Sequence, residues 1–322
     1  MKIKERIKES EFEKDIREGL MAGNKRLSSK YFYDEKGDVL FQQIMHLPEY
    51  YLTRSEFEIF LNHSKDIVHV LGLENAEIEI IELGAGDGTK TLLFLKELVE
   101  KNVKVKYRPV DISRNVLTIL KKKINTHLPK VQIESVTNTY QGALELLSNE
   151  KSETKRLIFF LGSNLGNLTM EEGKNFINAI ANSLRKGDAF LIGLDKKKDP
   201  QRIIDAYSDS AGVTKEFNLN LLDRINRELG ANFDRSQYKH IATYDPITGT
   251  TKSFLISQKD QEVYLPWVQK SIFIKAFEAI NTEISQKYDG KMVEELFKNT
   301  GMELAAFFED EEELFRDYLF IK

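Results

Sequence analysis

From Ile78 onward the apolar positions follow two alternating rhythms. Apolar or every-second-apolar runs occupy Ile78–Leu83, Val105–Asp111, Val131–Val136, Leu157–Gly162 and Ala189–Asp195. Between them lie stretches at helical spacing, over Thr91–Lys101, Arg114–Asn125, Gly142–Leu147 and Met170–Leu184. Strands that alternate with helices of this kind predict βαβ units and a parallel sheet. LIFFLG and AFLIGL are apolar throughout, as strands covered on both faces must be. Near residue 199 the alternation stops. Two helices follow, one ending near Ser208 and one over Thr214–Leu229, then a hairpin of YKHIATYD and TTKSFLIS joined by PITG, then one strand-like run, SIFIKAFEAI. From Met292 the α/β pattern resumes, with helix Met292–Asn299, Gly301 as its stop, strand Glu303–Phe308, the acidic turn EDEEE and strand Leu314–Ile321. Two closing strands after five βα units predict a seven-stranded sheet with one reversed strand. The region before residue 60 is helical and rich in aromatics. The chain is thus expected to form an α+β lobe from 1–60 plus 196–286 and an α/β domain from 61–195 plus 287–322.

Composition narrows the chemistry. The 322 residues carry a net charge of −4, with 30% charged and 41% hydrophobic residues. That is enough for a large core, without the basic excess that nucleic acid demands. There is no cysteine, which removes disulfides and thiolate metal sites, and the five histidines are scattered without metal-ligand spacing, so no metal is expected. No apolar run is long enough for a membrane span, and the start, MKIKERIKESEFEKD, is too charged for a signal peptide. These features lead to the expectation of a cytoplasmic monomer acting on a small molecule, with no nucleic acid and no membrane.

The segment Ile78–Lys90, IEIIELGAGDGTK, runs a strand into Gly84, Gly86 and Gly88 at the start of a helix. Such a turn lets backbone approach a nucleoside-type ligand, and Asp111, ending the next strand, can hold two ribose hydroxyls. It is not a phosphate loop, because Thr89 separates Gly88 from Lys90, and the third glycine of a dinucleotide fingerprint would fall on Thr89. A donor without phosphates, S-adenosylmethionine, suits it. The competing reading is an ordinary glycine-rich turn. No cysteine nucleophile and no G-x-S-x-G elbow are present.

Several side chains admit both a functional and a structural reading. Asn167, in FFLGSNLGNLT, either faces donor and acceptor or caps the next helix with Thr169. Thr139 and Tyr140 follow the third strand, where an adenine would lie, or simply cover core. Tyr50 and Tyr51 follow Pro48 and serve either packing or the site. Glu283 and Ser285 share one strand face and either read a polar ring or form a solvated edge.

Together these segments resemble the histidine-specific N-alpha-methyltransferase family of ergothioneine biosynthesis. The matching stretches are KYFYDEKGDVLFQQIMHLPEYYLTR (30–54), ELGAGDGTKT (82–91), PVDIS (109–113), FLGSNLGNLT (160–169), AYSDSAGVTKEFNLNLLDRINRELGANFD (206–234) and TEISQKYD (282–289). The resemblance implies a Rossmann-like class I S-adenosylmethionine-dependent methyltransferase sheet and a second, substrate-binding α+β lobe. It implies cofactor contacts from Tyr33, Gly84, Gly86, Lys90, Asp111, Thr139 and Tyr140. It implies histidine contacts from Tyr50, Asn167, Tyr207, Thr214, Glu283 and Ser285, with Tyr33, Tyr50 and Asn167 orienting the reacting amine. Glu283 and Ser285 would grip the imidazole, while Asn167 and Tyr207 hold the amino-acid backbone. The family pattern often has Asp-Phe where this chain has Thr139-Tyr140, so a hydroxyl stands where a carboxylate would meet the adenine amino group. The activity implied is N-methylation of the α-amine of free L-histidine, three times over, to hercynine. The alternatives are another amino acid, such as a tryptophan derivative or tyrosine, or a cofactor-binding pseudo-enzyme.

Overall fold

The computed structural model describes residues 9–150 and 152–322. In chain order the elements are α1 (Glu11–Met21), α2 (Glu35–Met45), α3 (Leu52–Leu71), β1 (Glu77–Leu83), α4 (Thr89–Glu100), β2 (Lys104–Asp111), α5 (Arg114–His127), β3 (Gln132–Ile133), β4 (Val136–Thr137), α6 (Tyr140–Asn149), β5 (Lys155–Phe160), α7 (Met170–Ser183) and β6 (Ala189–Asp195). They continue with α8 (Pro200–Tyr207), α9 (Val213–Leu229), β7 (Tyr238–Asp245), β8 (Thr250–Ser257), β9 (Gln261–Leu265), β10 (Lys270–Ile274), β11 (Ala279–Gln286), α10 (Gly290–Phe297), β12 (Glu303–Glu309) and β13 (Phe315–Ile321). The chain divides into two compact units. One comprises Asp199–Ser285 and the described part of Met1–Tyr51, the other Leu52–Lys198 and Gln286–Lys322.

The second unit is built on one sheet in the order β12-β13-β6-β5-β1-β2-β3, with β4 also on β2. β1, β2, β5 and β6 run parallel, and β13 is antiparallel to both β6 and β12, so it is the reversed strand. The expected third strand is split, because only Gln132–Ile133 and Val136–Thr137 pair with β2. Buried apolar side chains cover both faces. Ile81, Ile158, Phe160, Phe190 and Ile192 pack with α7 and α10 residues such as Ile177 and Phe297, and the rings of Phe60, Phe94 and Phe159 meet edge to face. α3 packs on β13, β12 and β6 of this unit. Its first turns, 52–60, lie here with the sheet, whereas the sequence reading grouped them with the other lobe.

The first unit holds a three-stranded sheet, β11-β8-β7, and the separate pair β10-β9. Its core joins Ile16 and Leu20 of α1, Ile44 of α2, Phe217, Leu221, Leu222 and Ile225 of α9, and Leu255, Ile274 and Ile280 of the strands. The run SIFIKAFEAI is not one strand. It breaks after Ile274 at a turn in which Phe277 takes φ 65°, and strand β9 before it was not anticipated. Among the described residues no helix is long and apolar enough to cross a membrane, and no group of three or more His, Cys, Asp or Glu is placed to hold a metal ion.

Candidate functional site

In the sheet unit, the residues singled out from the sequence gather where β1, β2 and β5 end. Gly84, Gly86 and Gly88 all take left-handed φ, of 78°, 53° and 63°, which glycine adopts without strain. A Cβ on Gly84 would stand 2.7 Å from the Tyr140 hydroxyl, whereas one on Gly86 would meet nothing within 4 Å. The loop therefore closes under Tyr140 and leaves an open face at Gly86. The Asp111 carboxylate anchors it, accepting the Gly86 N–H at 3.3 Å and the Ser113 N–H at 2.9 Å. A carboxylate has lone pairs beyond these two bonds with which to meet further donors. Tyr140 is half-buried and packs edge-on against Phe160. Burial and then the Asp111 charge raise its phenol above the ordinary value. Thr139 caps α6, its hydroxyl oxygen accepting the Gly142 N–H at 3.2 Å, which leaves the hydroxyl hydrogen to donate elsewhere.

At the end of β5 the chain passes Gly162 (φ 75°) and Ser163 (φ 55°) into a short turn, Asn164–Asn167. Thr169 and Glu172 form the capping box of α7, so the cap that the sequence left open for Asn167 belongs to Thr169. The Asn167 side chain is exposed. Asn164 instead ties the turn down, donating to Leu161 O at 2.8 Å. Lys90 is half-buried. It is ion-paired with Glu56 of α3, a fully buried carboxylate that also accepts the Gly162 N–H at 2.9 Å. Glu82 at the end of β1 accepts from Thr91 at 2.7 Å and from Tyr107, and its burial pushes its carboxyl up to about 7.

A methyl donor such as S-adenosylmethionine fits the sheet-unit residues. The glycine loop is open on one side, its neighbouring carboxylate bonds only backbone N–H groups, and no lysine directly follows Gly88 to meet a phosphate.

In the first unit a second group assembles. Asp199 caps α8, Pro200 starts it, and Tyr207 stands in its last turn. The Tyr207 hydroxyl donates to Ser285 Oγ at 2.7 Å. On β11, Thr282 is buried and donates to Asn218 of α9 at 2.6 Å, so the pleat turns Glu283 and Ser285 to the opposite face. Ser253 of β8 donates to Glu283 Oε2 at 3.2 Å. Thr214 is fixed at the start of α9, where Asp209 accepts its N–H at 2.7 Å and that of Val213 at 2.8 Å. Burial alone would raise the Asp209 carboxyl, but the hydrogen bonds from Thr214, Val213 and Gly212 hold it below the usual carboxylate range. Tyr33 is 40% exposed and lies edge-on to Phe41 and Phe217, at 5.4 and 5.7 Å. Tyr50 is edge-on to the same Phe41 at 6.3 Å.

The sequence reading missed Glu56, Asn164 and Ser253. The signal for Glu56 was present, because it falls on the buried stripe of α3 with Leu52, Ile59 and Phe60. Nothing in the sequence marked Asn164 or Ser253.

Comparison with known proteins follows the same lines. Residues 12–322 match a family described as histidine-specific methyltransferase, SAM-dependent. The histidine N-alpha-methyltransferase of Mycolicibacterium smegmatis is 34% identical over 275 residues, covering 85% of this chain and 84% of its own. That of Mycobacterium tuberculosis is 34% identical over 293 residues, covering 91% and 87%. A 4-dimethylallyltryptophan N-methyltransferase of Claviceps purpurea is 26% identical over 317 residues, covering 92% and 90%.

Proposed function

The chain belongs to the SAM-dependent histidine-specific methyltransferase family, and from that premise we propose that it methylates the α-amine of free L-histidine, three times in succession, to give the betaine hercynine. Gly84, Gly86, Lys90, Asp111, Thr139 and Tyr140 of the sheet unit, with Tyr33, would hold S-adenosylmethionine. When bound, this cofactor supplies an electrophilic methyl group on a sulfonium. The two remaining lone-pair sides of the Asp111 carboxylate suit a ribose diol, and the Thr139 hydroxyl hydrogen suits an adenine ring nitrogen.

The amino acid is read from the other unit. Glu283 accepts an imidazole N–H, and Ser285, aligned by Tyr207, meets the second ring nitrogen. Tyr207 and Asn167 hold the amino-acid backbone, and Thr214 is a further histidine contact. Tyr33, Tyr50 and Asn167 orient the amine. An ammonium exchanges its proton readily with water, so orientation of the free amine is sufficient and no strong base is required. Water held between these groups and the amine can leave as each methyl arrives. The observation that carries the histidine reading is the pairing of Glu283 and Ser285 on one strand face: a carboxylate and a hydroxyl match an imidazole, which offers one nitrogen that donates and one that accepts. On this reading the partners are two small molecules, with no nucleic acid, and the chain works as a cytoplasmic monomer.

The test is turnover with labelled S-adenosylmethionine on a panel of free amino acids. The expected result is label in mono-, di- and trimethylated histidine and none in tryptophan derivatives or tyrosine. Label in another amino acid and none in histidine would remove histidine as the substrate. Cofactor binding without label in any amino acid would make the chain a pseudo-enzyme.

A further inference from the structure

Below the glycine loop lies a charged cluster that sequence reading did not anticipate. Glu56 is fully buried on the face of α3 that packs against the sheet. Its carboxylate does two things at once, pairing with the Lys90 ammonium and accepting the N–H of Gly162 at 2.9 Å. The position is reserved by the sheet: a Cβ on Gly193 of β6 would collide with Glu56 Oε1 and come within 2.8 Å of Asp317 Oδ1. Asp317 of β13 is itself fully buried, and neither of its oxygens has a hydrogen-bond partner among the described residues. Burial, and then the charge of Glu56, raise its carboxyl well above the usual range. Glu56 is the carboxylate in direct contact with the Lys90 ammonium. Glu56 is the fully buried member of the pair, and a buried carboxylate left without its cation is strongly unfavourable.

Lys90 stands in the first turn of α4, directly after the glycine loop, and Gly162 opens the turn after β5. We infer that Glu56 is a positioning residue of the cofactor site, one buried carboxylate that ties the Lys90 side chain to the strand-end backbone at Gly162. This rests on the reading of Lys90 as a cofactor contact. Glu56 spends one of the three ammonium hydrogens and leaves two for the acidic end of the donor. It also keeps Lys90 protonated, against burial, with Asp317 and Glu82 the other acidic groups that act on it.

Glu56→Gln isolates the ion pair. The amide oxygen still accepts from Gly162, but the amide nitrogen faces Lys90 as a second donor. The experiment is calorimetric titration of S-adenosylhomocysteine from pH 6.5 to 9.5, with NMR titration of the Lys90 side chain in the ligand-free protein. In the native protein the affinity is expected not to fall toward high pH, the Glu82 carboxyl at about 7 being the neighbouring group that titrates in this range. In Glu56→Gln it is expected to fall by about tenfold per pH unit once Lys90 loses its proton, as linkage to one proton requires. The Lys90 titration should move down by at least a pH unit, and the KM for the donor should rise while that for histidine is unchanged. A merely structural role for Glu56 would lower stability without moving either pH profile.

Lys90→Met tests the underlying reading separately. Native affinity in Lys90→Met would remove Lys90 as a cofactor contact, while the NMR shift would still decide whether Glu56 holds it. Should Glu56→Gln fold poorly, the double variant Glu56→Gln/Lys90→Met removes both charges and relieves the repulsion. It should bind S-adenosylhomocysteine no worse than Lys90→Met alone. An additive loss in the double variant, or unchanged Lys90 titration in Glu56→Gln, overturns the inference.

Discussion

Tyr207 donates its hydroxyl hydrogen to Ser285 Oγ across 2.7 Å, and both side chains are buried. The pair joins the last turn of α8 to β11 and fixes which way the Ser285 hydroxyl points. In Tyr207→Phe the ring stays and the bond is lost. Histidine affinity is expected to fall about fivefold, or ~1 kcal/mol, the net worth of one neutral hydrogen bond. Affinity for S-adenosylhomocysteine should not change. Calorimetry of both ligands checks this, and an equal loss for the two would contradict it.

Gly84 lies directly beneath Tyr140 at φ 78°, and Gly72, at φ 62°, lies where an added Cβ meets nothing within 4 Å. The two glycines separate backbone strain from displacement of the site. An alanine at either should cost about 1–2 kcal/mol of stability for its left-handed backbone. Only Gly84→Ala drives a methyl group against the Tyr140 hydroxyl, so only it should weaken S-adenosylhomocysteine binding, by about tenfold or ~1.4 kcal/mol. Thermal unfolding and ligand titration on both variants give the comparison. Equal binding losses would show that Tyr140 is irrelevant to the loop.

His240 on β7 is buried, and its Nε2 has no hydrogen-bond partner among the described residues. Burial pushes the imidazole down to about 4 from its ordinary 6.5, with Asp209 opposing and Lys215 adding to the shift. A base whose folded value is depressed takes up its proton more readily when unfolded. Stability is therefore complete above about pH 6.5 and is lost as the pH falls toward 4. At full effect the loss is roughly 3 kcal/mol for a shift of this size. Denaturant unfolding at pH 4.5, 5.5 and 7 should show that slope in the native protein and a flatter one in His240→Asn. Equal slopes would place the imidazole in contact with water.

Much of the sheet unit was legible in the sequence because its physics is local. Strands buried on both faces must be apolar throughout, as LIFFLG and AFLIGL are, and a strand that turns sharply into a helix must carry glycines, as Gly84, Gly86 and Gly88 do. The first unit was less legible. Its break at Lys275–Glu278 uses a left-handed phenylalanine, Phe277, where glycine or asparagine would have marked a turn. The segment QEVYL that becomes β9 is short and half polar. Among the proposed site residues, Asp111 and Glu283 could be argued from strand ends and face alternation. Tyr33 and Thr214 could not, because a tyrosine in an aromatic cluster and a threonine at a helix start look the same whether or not they meet a ligand. Glu56 escaped because one acid in a helix is ordinarily solvated, although its place on the stripe of Leu52, Ile59 and Phe60 could have been read.

In the proposed function Glu283 recognises the imidazole. In Glu283→Ala, calorimetric titration of L-histidine in the presence of S-adenosylhomocysteine should show affinity weakened by about 2 kcal/mol, roughly thirtyfold, the cost of losing a charge-assisted hydrogen bond. S-adenosylhomocysteine itself should bind the variant as it binds the native protein. A histidine affinity equal in the two proteins would contradict the claim.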